Sequence, residues 1–117
     1  MGEKLIEGLK IKKLSIIEDD RGSLMHMLRN DDELFTTFGE CYFSEVFPEK
    51  IKGWKCHTSQ TQNLAVPVGK VKFIIFDNRV NSNTKGKLEE VTLGRLKNYK
   101  RLKIPPGLWY SFKCISK

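Results

Sequence analysis

Apolar and polar residues alternate with a period of two through most of this chain, and turn-forming residues break the alternation at short intervals. That periodicity puts successive side chains on opposite faces of an extended backbone and does not suit an amphipathic helix. Strands are expected over residues 13–17, 23–29, 40–47, 54–58, 63–68, 70–77, 88–93, 99–104 and 108–115. Between them lie Asp19-Asp20-Arg21-Gly22, Val68-Gly69, Asp77-Asn78, the stretch from Asn83 to Gly86, and Pro105-Pro106-Gly107, all with turn chemistry. Residues 31–37 alone read as a helical turn, with Asn30 as the candidate cap. Eight or nine strands at a spacing of about 8–12 residues predict an all-β sandwich or barrel and argue against an α/β fold.

At 117 residues the chain is expected to form one domain, 1–117, large enough for a single core. No apolar run approaches the ~20 residues that span a bilayer, so no membrane partner is expected. The first residues, MGEKLIEGLKIKK, lack a signal-peptide core, and cytoplasmic residence is the default expectation. Cys41, Cys56 and Cys114 are odd in number and lack CxxC spacing, which suits reduced thiols better than a disulfide framework. The net charge of +7 suggests an anionic ligand. Its lysines are scattered singly or in pairs among apolar residues, with no zinc-finger spacing, RNP octamer or basic zipper, so nucleic acid is not the expected partner.

Two segments carry the chemistry. Ile51–Gly69 reads IKGWKCHTSQTQNLAVPVG and Ile104–Phe112 reads IPPGLWYSF. The first has the frame of a cupin's leading motif, in which a glycine precedes His-x-His, an acid and a closing glycine. Anchored on Gly69, that frame puts Lys55 and His57 at the two histidines and Gln62 at the acid. The second resembles the later cupin motif, Pro-x-Gly followed by a histidine, and has Tyr110 at the histidine position. An ammonium, a carboxamide and a phenol are poor ligands for a divalent metal, so no metal and no cofactor are expected. Further wording narrows the resemblance: DDRG at Asp19–Gly22, FGECYFS at Phe38–Ser44, IKGW at Ile51–Trp54, DNR at Asp77–Arg79 and NSNTKGK at Asn81–Lys87. Together these resemble the dTDP-4-dehydrorhamnose 3,5-epimerase family of metal-free cupins, in a short and divergent form, over roughly residues 8–116.

The resemblance implies a cupin-type antiparallel β-barrel or jelly roll, a nucleotide-diphosphate sugar as ligand, a homodimer, and epimerisation of an NDP-4-keto-6-deoxy hexose. Such a reaction removes a proton from the carbon beside the ketone and returns it to the opposite face. The family's base, a histidine two residues after the glycine of Arg-Gly-x-His, is replaced here by Lys55, and the arginine by Lys52. The family's active-site lysine falls near Gln62. Typical members also carry a donor tyrosine one strand further on, and the sequence stops at Lys117 before reaching that position. His57 is the alternative base, because imidazole titrates near neutral pH and this residue shares a strand face with Lys55. Tyr110 is the candidate donor across the cavity, Lys52 and Lys55 are candidate cations for the enolate or the diphosphate, and Trp109 is a candidate substrate contact. Arg21 matches a family arginine beside the nucleotide phosphates. Each has a structural alternative: a hydrogen-bonded strand histidine, solvent-facing lysines, aromatics filling the barrel mouth, and a turn arginine. His26, Arg79 and Thr84 read as architecture. Two other functions stay open, a non-catalytic nucleotide-sugar-binding cupin and a sugar ketoisomerase.

Overall fold

The alternation is realised as strands. In the computed structural model, which describes residues 5–116, nine strands follow one another: β1 (Lys10–Lys13), β2 (Ile16–Asp19), β3 (Gly22–Met25), β4 (Ile51–Cys56), β5 (Gln62–Leu64), β6 (Lys70–Phe76), β7 (Leu88–Gly94), β8 (Lys100–Ile104) and β9 (Trp109–Cys114). Every pairing is antiparallel. The order β4-β9-β6-β7 makes a four-stranded sheet, β1-β8-β5 a three-stranded sheet, and β2-β3 a separate hairpin. The expected all-β architecture is therefore present, and among the described residues the only helical element is a 3-10 turn at Leu96–Asn98.

The two larger sheets share one core. Val71, Phe73 and Ile75 of β6, Val91 and Leu93 of β7, and Leu102 and Ile104 of β8 point into it, alternating with polar or half-buried neighbours. Ile6, Leu9, Leu108 and Tyr110 complete it. Each large apolar side chain buried in this way contributes about 1.5–3 kcal/mol.

Several expected boundaries move, each for a physical reason. The single strand expected over 13–17 is two, because the chain changes sheets between them: the Leu14 amide donates to the Tyr99 carbonyl, and the Ser15 carbonyl accepts from the His26 amide. Residues 31–37 form no helix. Asp32, not Asn30, organises this segment, accepting from the Leu34 amide at 2.7 Å while its carboxylate also meets Arg101 at 2.9 Å and Lys12 at 3.0 Å. Arg101 is 1% exposed and also donates to the Met27 carbonyl and to Asn63. This cluster fastens the segment to the outer face of the small sheet. Residues 40–47, expected as a strand, pair with no strand among the described residues, although 35–47 run without a turn or bend.

A second polar cluster closes the loop between β6 and β7. Asp77, fully buried, accepts from Arg79 at 2.9 Å and from the hydroxyls of Ser82 and Thr84. Arg79 donates onward to the Glu7 carbonyl at 2.6 Å, so the loop holds the N-terminal turn. Arg79 and Thr84 thus serve the architecture expected of them. The Arg79 guanidinium holds the Asp77 carboxyl well below the usual carboxylate range against the opposing effect of burial, with Ser82 and Thr84 assisting. A lowered carboxylate pKa contributes stability that is complete above the unfolded value of about 3.9 and is lost as pH falls toward the folded value. Asp77→Asn should cost about 3 kcal/mol at pH 7, as breaking a buried pair does. In urea titrations the gap between parent and variant should narrow as pH falls below ~4; a gap that stays constant with pH would contradict this account.

Candidate active site

β4 lies at the edge of the large sheet beside β9. Its register sets Lys52 opposite Phe112 and Lys55 opposite Tyr110, and β9 in turn sets Phe112 opposite Phe73 and Tyr110 opposite Ile75. Directly opposed residues share a face, so both lysines stand on the inner face with these aromatic side chains. Three residues apart, they would face opposite ways on a regular strand. A bulge between Lys52 and Lys55 corrects the parity. Gly53 permits it: its φ is +135°, and a Cβ there would stand 2.5 Å from Cβ of Ser111.

His57 continues the line of β4 past the strand end. Its carbonyl accepts from the Gly107 amide at 2.8 Å, which ties the first motif to the Pro-Pro-Gly turn of the second. The imidazole Nε2 lies 3.4 Å from the Tyr110 hydroxyl, with ring centroids 6.1 Å apart. Phe112 stacks beyond Tyr110 at 6.5 Å and meets Phe73 at 5.3 Å, giving the wall an apolar floor. Burial, with the nearby Tyr42 phenol adding to it, pushes the Tyr110 pKa above its ordinary value. Tyr110 is therefore a neutral phenol at physiological pH, able to donate to imidazole or to accept from imidazolium.

The structure gathers some of the expected residues and separates others. Lys52, Lys55, His57 and Tyr110 share one wall. Gln62 belongs to the other sheet, in register with the core residue Ile104 and so directed inward, and its amide donates to Gln60 at 3.2 Å. Tyr110, expected across the cavity from His57, stands beside it instead. Trp109 is turned to the opposite face of the sheet, in register with Cys56 and Phe76. Arg21 sits on the β2-β3 hairpin, its side chain 86% exposed and paired with Asp19 at 2.8 Å. The His26 carbonyl accepts from Tyr99 at 2.7 Å, in keeping with its structural reading.

A cupin fold raises the question of a metal, and these residues do not fit one. Among the described residues no three His, Cys, Asp or Glu side chains come together. His57 has the Tyr110 phenol beside it and the Lys55 ammonium on the same wall, groups that suit hydrogen bonding to an organic anion.

No family model matches the chain. A spore coat polysaccharide biosynthesis protein of Bacillus subtilis, SpsL, is 32% identical over 111 residues, spanning 95% of this chain and 73% of that protein. The probable low-salt glycan biosynthesis epimerase Agl13 of Haloferax volcanii is 30% identical over 112 residues, spanning 94% of this chain and 71% of its own length. The crystal structure of a dTDP sugar isomerase from Desulfovibrio desulfuricans G20 matches with a TM-score of 0.91 at 47% identity, over 93% of this chain and 69% of that one. The chain belongs to the dTDP-sugar epimerase and isomerase family.

Two contributors to this family member's site escaped the sequence argument. Ser44 accepts from the Lys52 ammonium at 3.3 Å, and Tyr42 lies close enough to act on the Tyr110 phenol. The signal was there as the alternation of Tyr42, Ser44 and Val46, but an exposed unpaired segment gives no sequence cue to what its faces meet. The Gly53 bulge was equally hidden. Gly53→Ala should destabilise the fold by about 1–3 kcal/mol and turn Lys52 out of register with Lys55. A crystal structure of the variant with both lysines still on the inner face would contradict the role given to Gly53.

Proposed function

We propose that this enzyme isomerises a dTDP-4-keto-6-deoxy hexose by moving a proton on a carbon next to the ketone, with His57 as the base. The pairing of His57 with Tyr110 at 3.4 Å, on a wall that also carries two lysines, supports this most directly. A carbon beside a ketone is acidified because its carbanion is delocalised onto the carbonyl oxygen as an enolate. Removal of that proton requires a base at the carbon and a positive group at the oxygen. His57 meets the first need, and the imidazolium it becomes can donate to the Tyr110 oxygen. Lys55 meets the second as a fixed cation. Lys52 and Gln62 hold the polar parts of the substrate, the lysine toward the diphosphate and the carboxamide toward a sugar hydroxyl. Trp109, on the far face, takes no part. The chemistry needs no metal. Free thiols at Cys41, Cys56 and Cys114 favour a reducing compartment, the cytoplasm.

Deuterium wash-in at the sugar carbon, followed by NMR, tests the assignment. His57→Ala should slow exchange by at least about 10²-fold while nucleotide binding stays nearly intact, and Lys52→Ala should chiefly weaken binding. Chelator should leave the parent rate unchanged. Exchange at the parent rate in His57→Ala, with its abolition in Lys55→Ala, would reverse the two roles. No exchange by the parent on any such sugar would favour a binding module.

The working unit in this proposal is a homodimer. Phe38, Phe43, Phe47, Ile51 and Trp54 are each more than half exposed, Phe43 to 95%, and Ile17 and Leu24 add to them on the hairpin. An apolar surface of this kind, beside an unpaired extended segment, is where a second copy would add. The hairpin would then carry Arg21 toward the phosphates in the neighbouring site. Sedimentation should show a dimer across the micromolar range, and Phe43→Lys with Leu24→Lys should produce monomer. A parent that sediments as a monomer at every concentration would refute the pairing.

A further inference from the structure

His57 stands where the ladder of β4 runs out. The register with β9 ends at Cys56 opposite Trp109, and the next backbone bond in line is the one from the Gly107 amide to the His57 carbonyl, at 2.8 Å. Pro105 and Pro106 have no N–H to offer, so Gly107 is the first donor after Ile104. Its place in the turn therefore sets where the backbone of His57 can lie. That place is fixed by Arg79. Gly107 has a φ of +92°, and a Cβ there would stand 3.0 Å from Cδ and 3.2 Å from Cγ of Arg79, so the turn rests on the stem of that side chain. The head of Arg79 is held in turn: Nε and Nη2 donate to the two oxygens of Asp77 at 2.9 and 3.0 Å, and Nη2 donates also to the Glu7 carbonyl at 2.6 Å. Gly8, next to Glu7, lies against the same turn, where a Cβ would come within 3.0 Å of Cγ of Pro105. The β6-β7 loop, the N-terminal turn and the Pro-Pro-Gly turn thus converge on one side chain, and the last of them is bonded to His57.

We propose that Arg79 is a positioning residue for His57, acting through Gly107. The inference rests on the reading of His57 as the base. Arg79 supports the backbone that carries the imidazole, and its charge is already taken up by Asp77. Proton abstraction from carbon depends steeply on placement, and a shift of about 1 Å in a reacting group can cost 10²-fold in rate. The contacts that bind the nucleotide are not changed by such a shift. A side chain that served folding alone would alter stability and leave the turnover of the folded protein as it was, whereas one that positions the base alters kcat at constant KM.

The test separates the stem of Arg79 from its charge. Asp77→Asn with Arg79→Ala removes the stem without stranding a buried carboxylate, and Asp77→Asn with Arg79→Met restores an unbranched stem beneath Gly107. Deuterium exchange into a dTDP-4-keto-6-deoxy hexose is measured on each at a temperature where urea titration shows it folded. The alanine variant should lose at least about tenfold in kcat with KM within about twofold of the parent, and the methionine variant should recover most of that loss. Gly107→Ala, which leaves the ionic cluster intact and sets a Cβ against the Arg79 stem, should show the same fall in kcat at constant KM. Equal kcat in the alanine and methionine variants would overturn the inference, and so would parent kcat in Gly107→Ala. If the double variants do not fold, Gly107→Ala decides alone. Exchange at the parent rate by His57→Ala is a separate result, and it overturns the reading of His57 as the base.

Discussion

The close approach of Gly53 to Ser111 governs the geometry of the candidate site. An edge strand is ordinarily free to drift in register, but the missing Cβ lets the β4 backbone settle against β9, and the resulting bulge turns Lys52, Lys55 and His57 to one side. Without the bulge, Lys52 would face away from Lys55. The hydrogen bond from Gly107 to the His57 carbonyl then holds the end of β4 against the turn that begins β9. Two motifs more than fifty residues apart at their starts, Ile51 and Ile104, are thereby locked to each other at both ends of the wall.

Behind that wall the protein divides its polar and apolar work by face. The inner faces of both sheets are filled with branched and aromatic side chains up to the level of Tyr110, beyond which polar groups take over. Two buried ionic clusters flank this core, one around Asp32 and Arg101 on the outer face of the small sheet and one around Asp77 and Arg79 in the loop between β6 and β7. Each joins segments far apart in sequence, and each has its charges compensated by hydrogen bonds as well as by the partner ion. Their positions explain why the N-terminal turn and residues 26–35 stay in place although neither forms part of a strand ladder.

The proposed chemistry follows from the residue types that stand at a cupin's metal-ligand positions in this chain. Where a metal would polarise a carbonyl, this chain sets ammonium groups, and where ligands would converge it sets an imidazole against a phenol. The proton transfer proposed beside a ketone calls on that combination, a base and a nearby positive charge. In the proposed dimer the apolar residues of the 38–54 region would serve the same chemistry, since a site open along the edge of β4 excludes water better when a second copy covers it.

The period-two pattern was sufficient to establish an all-β chain, because burial on one face of a sheet is written directly into alternation. The strands from Lys70 onward were legible for that reason, those before it only in part, and the spacing of Lys55, His57, Gln62 and Tyr110 within two motif frames marked the region of the candidate site. The failures share a cause. Residues 40–47 have the alternation of a strand but find no ladder partner in this chain, and alternation says nothing about who supplies one. Asn30 and Asp32 are equally good local caps, and Asp32 prevails because Arg101 and Lys12 meet it from strands whose proximity is a tertiary fact. The same holds for Tyr42 and for the side-by-side placement of His57 and Tyr110. Sequence determined which side of each strand a residue occupies, while pairing register, the bulge at Gly53 and sheet packing decided which of those sides face each other.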